Sequence, residues 1–180
     1  DFLKSKDNIG IPKNWKQDLR KYDIIKVKPF TYYHSIHSTL TNILSNDDLR
    51  LLEQLIKESY TEYFDTYINY MKYNNKISSC NMFICKFELF SEYSEWLFSI
   101  LFELENHVKI SQYKVPARIF GFLSEALFNI YCIKNNLNVK YYSIDVIRDD
   151  VYNESNVVYF LKNMRRNISF YFNKPQRIKP

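Results

Sequence analysis

The chain has 180 residues, 46% of them apolar and 18% aromatic, enough to bury one domain-sized core and to exclude a disordered or collagenous chain. Its formal charge of +5 is unevenly spread, because residues 162–180 hold Lys162, Arg165, Arg166, Lys174, Arg177 and Lys179 and no acid. No apolar run reaches the roughly 20 residues of a membrane span, no signal-peptide core follows Asp1-Phe2-Leu3, and Cys80, Cys85 and Cys132 lack the paired spacing of a disulfide framework or short zinc motif, so a reducing cytoplasm is the expected compartment.

Along the chain, Lys13 to Lys21 reads as a short amphipathic helix after Pro12, leading into a strand over Asp23 to Lys28 that Pro29 ends. His34 and His37 then fall three apart in the aromatic, hydroxyl-rich stretch Thr31 to Thr41. A metal site needs a further ligand that the local sequence does not supply, which leaves His37 a surface or substrate-binding histidine. Ser45, followed three residues later by Asp48, opens a helix to Ser59. Another covers Thr61 to Tyr73, with Tyr63, Phe64, Tyr67, Ile68 and Met71 as its apolar face, and Asn74 and Asn75 close it. Cys80 to Lys86 is short and apolar, as in a buried strand, with Asn81 opening its edge.

Phe87 to His107 is a long helical pattern whose polar stripe (Glu88, Glu92, Glu95, Ser99, Glu103) is so thin that packing on two sides is expected. A further helical pattern runs from Arg118 to Asn136, then a strand from Val139 to Ile144 and a last helix from Glu154 to Met164. Strands separated by helices indicate α/β layering rather than a bundle. The organisation is one domain, residues 1–160, followed by a basic aromatic tail, 161–180. That tail suits solvent or local packing first, an anionic membrane surface next and nucleic acid last.

Arg118, Glu125 and Asn129 are spaced 7 and 4 residues apart and project along one side of an otherwise apolar helix. An unpaired buried carboxylate costs several kcal/mol, so Glu125 either pairs with Arg118, caps the helix, or meets a ligand. Gly121 inside the helix costs about 1 kcal/mol relative to Ala, which favours a helix start just after it. Ser124 then lies in the first turn, and the helix dipole favours an ionised Glu125 able to take a proton from a hydroxyl. Asn81 can donate to and accept from a polar ligand, or simply satisfy a turn. Glycine-rich phosphate loops, G-x-S-x-G, H-E-x-x-H, C-x-x-C and D-x-D are all missing from the sequence.

Three strings, Asn81 to Ile84 (NMFI), Glu95 to Glu105 (EWLFSILFELE) and Arg118 to Asn129 (RIFGFLSEALFN), resemble in order and spacing a bacterial family, domain of unknown function 4422. That family is assigned to glycosyltransferases of capsular and exopolysaccharide clusters, and the resemblance spans roughly Tyr22 to Ile144. It implies a GT-A-like glycosyltransferase fold, here its helix-rich later part, with the nucleotide held mainly by the N-terminal half. A string H-Y-R-R-Y-F upstream in the family does not occur here, implying that the chain begins after it and that donor-binding residues lie outside.

The implied activity is sugar transfer from a nucleotide-sugar donor to a glycan or lipid-linked glycan acceptor, at the inner face of the membrane, with no nucleic-acid partner. Glu125 would be the catalytic base, Arg118 would steady the acid or a leaving diphosphate, and Asn81, Gly121, Ser124, Asn129 and His37 would contact substrate. A divalent metal is compatible with the family, but its ligands cannot be identified here. Ala126 departs from the family pattern, which usually has Arg. The alternative is a non-catalytic interaction module of a polysaccharide assembly complex.

Overall fold

The computed structural model describes residues 12–143 and 156–173. A single turn, α1 (Trp15–Asp18), leads into β1 (Ile24–Val27), followed by β2 (Phe30–Thr31), α2 (Ile36–Leu40), α3 (Asn46–Ser59) and α4 (Thr61–Tyr73). Next come β3 (Lys76–Ile77), β4 (Phe83–Cys85), α5 (Phe87–Glu105), a 3-10 turn (Pro116–Arg118), α6 (Ile119–Lys134), β5 (Val139–Tyr142) and α7 (Asn156–Asn173). The mixed α/β expectation holds. β1 is the middle of a three-stranded sheet, antiparallel to β4 and parallel to β5, while β2 and β3 form a separate antiparallel pair.

All four residues of β1 are buried, so both of its faces are covered. Strand alternation sends Ile24 and Lys26 to one face and Ile25 and Val27 to the other. Ile24 joins the main core, in which Leu49, Leu52 and Ile56 of α3, Tyr67 and Met71 of α4, Ile100 and Leu104 of α5, and Leu123 and Leu127 of α6 meet. Aromatic contacts fix α5 against its neighbours: Trp96 lies 4.7 Å from Tyr63 and 5.1 Å from Tyr131, and Tyr93 packs 5.0 Å from Phe128, ring centre to ring centre.

Several expected elements change in extent. The Lys13 to Lys21 helix contracts to α1, and the strand expected from Cys80 contracts to Phe83–Cys85, because Cys80 and Asn81 adopt left-handed backbone angles (φ 74° and 45°) that no strand accommodates. α6 begins at Ile119 rather than after Gly121, since the 3-10 turn already sets the helical direction. Ser45 caps α3 as expected, its hydroxyl accepting the Asp48 N–H at 3.1 Å. α7 continues through Met164 to Asn173, so residues 161–173 of the tail are helical; Glu154 and residues 174–180 lie outside the described part. α5 packs through one stripe only, against α3 and α6, leaving Phe87, Phe90, Phe98 and Phe102 exposed.

The feature that positions the candidate site is polar and buried. Lys26, 3% exposed in β1, donates to Asn129 Oδ1 at 2.8 Å, lies 3.9 Å from Cys132 Sγ and sits 4.5 Å above the Phe128 ring. Burial holds its amine below the ordinary lysine range, with the Cys132 sulfur acting in the opposite sense. Asn129 Oδ1 also accepts the Ser78 N–H at 3.4 Å, while its Nδ2 donates to Ser78 O at 3.1 Å and to Glu125 O at 2.7 Å. Ser78 Oγ in turn donates to Val27 O at 2.7 Å. One amide thereby ties β1, α6 and the segment before β4 together, with both donors and both acceptors engaged.

Asn129→Leu leaves the Ser78 N–H and C=O without their partner and is expected to cost at least about 3 kcal/mol in urea denaturation. Lys26→Met removes a buried amine that has no carboxylate against it among the described residues and is expected to stay within about 1 kcal/mol of wild type. The Tyr67 hydroxyl is fully buried with no hydrogen-bond partner among the described residues. Tyr67→Phe is therefore expected to match or exceed wild-type stability in the same measurement, by up to about 1 kcal/mol.

Candidate active site

The turn at Cys80 and Asn81 is pressed against the first two turns of α6. Asn81 Nδ2 donates to Ser124 Oγ at 2.7 Å, and that hydroxyl donates to Gly121 O at 2.8 Å, so the turn is pinned by a chain of two bonds. Holding the segment from the other end, Asn129 fixes Ser78 two residues before Cys80. The left-handed angles at Cys80 and Asn81 let the chain reverse within this short span.

Glu125 lies beside this turn, half-buried on α6. Burial raises its carboxyl above the ordinary range, while the Cys80 backbone N–H and the Arg118 charge act the other way. The Cys80 N–H acts as a hydrogen-bond donor to the carboxylate, whereas Arg118 makes no ion pair with it among the described residues. Arg118 is exposed at the N-cap of α6, its guanidinium 5.4 Å from the centre of the Phe122 ring. The helix dipole contributes less than expected, because Glu125 falls in the second turn of a helix starting at Ile119.

Gly121 belongs to this cluster through its carbonyl. It is exposed, and a Cβ added there would meet nothing within 4 Å, so the helix surface above it is open. Ala126, by contrast, is buried in the core, which keeps that position away from the surface of the site.

Two of the expected substrate contacts are placed otherwise. Asn129 is 6% exposed and engages every donor and acceptor inside the protein, where it holds the segment leading into the Cys80 turn. His37, on α2, lines a separate polar groove of about 660 Å³ with Asn46, Arg50, Glu53, Lys57 and Lys72. Burial and the nearby Lys72 hold its imidazole below the ordinary range, with Glu53 acting in the opposite sense. Glu125 lines neither that groove nor the aromatic one on α5.

The residues that sequence reading passed over are Lys26, Ser78 and Cys80. Lys26 did carry a signal, a charge inside Ile24-Ile25-Lys26-Val27 at a position where burial was expected. Cys80 acts through its backbone N–H, and Ser78 through backbone groups and a hydroxyl whose partner Val27 is 51 residues away, so neither carries one. Among the described residues, no group of three or more His, Cys, Asp or Glu side chains is arranged to hold a metal ion, and no helix is long and apolar enough to cross a membrane.

Among solved structures, the apo structure of the WbbM bifunctional glycosyltransferase has a similar fold, with a TM-score of 0.65 and 24% identity over 79% of this chain. The chain spans 28% of the length of that one. No curated protein matches. The match to the family described as a domain of unknown function (DUF4422) covers residues 2–136, beginning upstream of the expected Tyr22 and taking in the turn, α5, and α6 with its Glu125, and the chain belongs to that family.

Proposed function

We propose that the chain forms part of a glycosyltransferase that moves a sugar from a nucleotide donor to a capsular or exopolysaccharide acceptor, with Glu125 as the base. The observation that carries this reading is a half-buried carboxylate with a raised pKa, held beside a pinned turn and not locked in an ion pair. The fold likeness to WbbM and the family membership support the same class of chemistry.

In the proposed step, an acceptor hydroxyl gives its proton to Glu125 as its oxygen bonds to the anomeric carbon. The bond from that carbon to the donor phosphate breaks, and the nucleoside diphosphate leaves with the electron pair. Arg118 lies close enough to influence Glu125 and is exposed enough to meet the departing diphosphate. Asn81 and Ser124 would orient sugar hydroxyls, and the open surface at Gly121 would let a sugar ring approach the helix. The nucleotide is assigned mainly to the N-terminal half of the family fold. Membrane contact through the basic tail would bring the site to a lipid-linked acceptor, supported by the exposed apolar and cationic residues of α7.

A second reading, a non-catalytic module that docks other assembly proteins, is favoured by the open aromatic stripe of α5. Calorimetry with a panel of nucleotide sugars, on this chain and on a longer form that carries the N-terminal half of the family fold, separates the two, since only the transferase reading expects the longer form to bind.

With a panel of donors and acceptors, Glu125→Gln is expected to lower turnover by about 100-fold or more, and wild-type turnover in this variant would remove the base. Arg118→Gln withdraws a charge that favours ionised Glu125, so the rise of rate with pH, which follows deprotonation of the base, is expected to move to higher pH. Gly121→Ala is expected to stabilise the fold by about 0.5–1 kcal/mol in thermal melts while weakening acceptor binding, measured as a rise in acceptor KM.

A further inference from the structure

The outer stripe of α5 carries Phe87, Phe90, Phe98 and Phe102, respectively 76, 46, 49 and 63% exposed. Their rings stand in pairs, Phe87 with Phe90 at 6.5 Å and Phe98 with Phe102 at 5.6 Å between centres. Between the pairs, Ser91, Ser94 and Glu95 line a shallow groove of about 410 Å³. Small residues flanked by aromatic walls leave room for a second helix to lie close.

Charge selects the occupant. α5 carries Glu88, Glu92, Glu95, Glu103 and Glu105, all exposed, and not one lysine or arginine. An anionic lipid surface is repelled by this rim. So is the α5 of another copy, which would set like charges face to face. The groove fits an amphipathic helix with an apolar stripe and basic flanks.

α7 has that chemistry. Val157, Phe160, Leu161, Met164, Ile168 and Phe172 are exposed at helical spacing, and the helix carries Lys162, Arg165 and Arg166 with no acid. Both stripes run sixteen residues, 87 to 102 and 157 to 172, or about 22 Å of helix from end to end. In its own chain α7 sits on β2, where Asn75 Nδ2 donates to Asn167 Oδ1 at 3.3 Å and Arg166 stacks over Tyr33. The face turned away from β2 is the apolar one.

We propose that the α5 groove of one copy receives α7 of a second copy, and that reciprocal exchange of the two contacts closes a dimer. The pairing is directional, acidic groove to basic helix, and it competes with the membrane contact proposed above for the same face of α7, so only the undimerised chain would offer that face to an anionic membrane.

Light scattering and sedimentation of the chain at micromolar concentration are expected to show a dimer. Glu92→Lys with Glu95→Lys, and separately Lys162→Glu with Arg165→Glu, are each expected to weaken self-association by about 100-fold or more. All four positions are exposed, so unchanged circular dichroism and melting show that the fold persists. Mixing the two variant proteins is expected to restore the dimer, because one contact then has both charges reversed and the other is wild type. Phe98→Gln with Phe102→Gln is expected to lose it with no such rescue. A monomeric wild type, association indifferent to both charge reversals, or failure of the mixture would overturn the proposal. So would a chain that stays monomeric while binding phosphatidylglycerol vesicles through α7, which would assign that face to the membrane.

Discussion

The arrangement depends on how one side-chain amide is satisfied. Asn129 meets both backbone groups of Ser78, the ammonium of Lys26 and the carbonyl of Glu125, within a region that admits almost no solvent. An unpaired amide at that depth would be costly, so the register between β1, α6 and the segment entering β4 is fixed wherever all four partners can be reached together. The left-handed turn at Cys80 follows from this. With Ser78 held and Phe83 committed to its ladder with Lys26, the chain has few residues in which to reverse.

Arg118, Glu125 and Asn129 share one side of a helix and yet play three different parts. The first is at the surface and acts through space; the second is half-covered and meets a backbone amide but no ion-pair partner among the described residues; the third is buried and saturated. Depth along the helix sets the difference, because α6 starts at the protein edge and runs into the core. On the proposed reading, the acid is held at a depth where it is desolvated enough to be basic and still reachable by a ligand.

Legibility in the sequence tracked how local the cause was. α4 was readable to its ends because the aromatic periodicity from Tyr63 to Met71 and the breakers Asn74 and Asn75 are neighbours in the chain. The Ser45 cap was readable for the same reason. β3 was not, since two residues have no periodicity to show, and its existence depends on pairing with β2. The start of α6 was misplaced because Gly121 was weighed against helix propensity alone, whereas the preceding 3-10 turn commits the chain first. For α5, composition revealed two apolar stripes but not which of them is covered. Asn129 was taken for a ligand contact because its partner Ser78 lies 51 residues away, beyond any spacing rule.

The group that turns toward Glu125 is a main-chain amide, and this changes what substitution can do to the site. Replacing the Cys80 thiol with another small or polar side chain leaves the N–H in place, so side-chain identity there is free to drift. Backbone shape is not. β-branched residues and proline resist a φ of 74°, whereas glycine and asparagine accept it, so the sequence record of this site should show a constraint on conformation and a tolerance for side-chain chemistry.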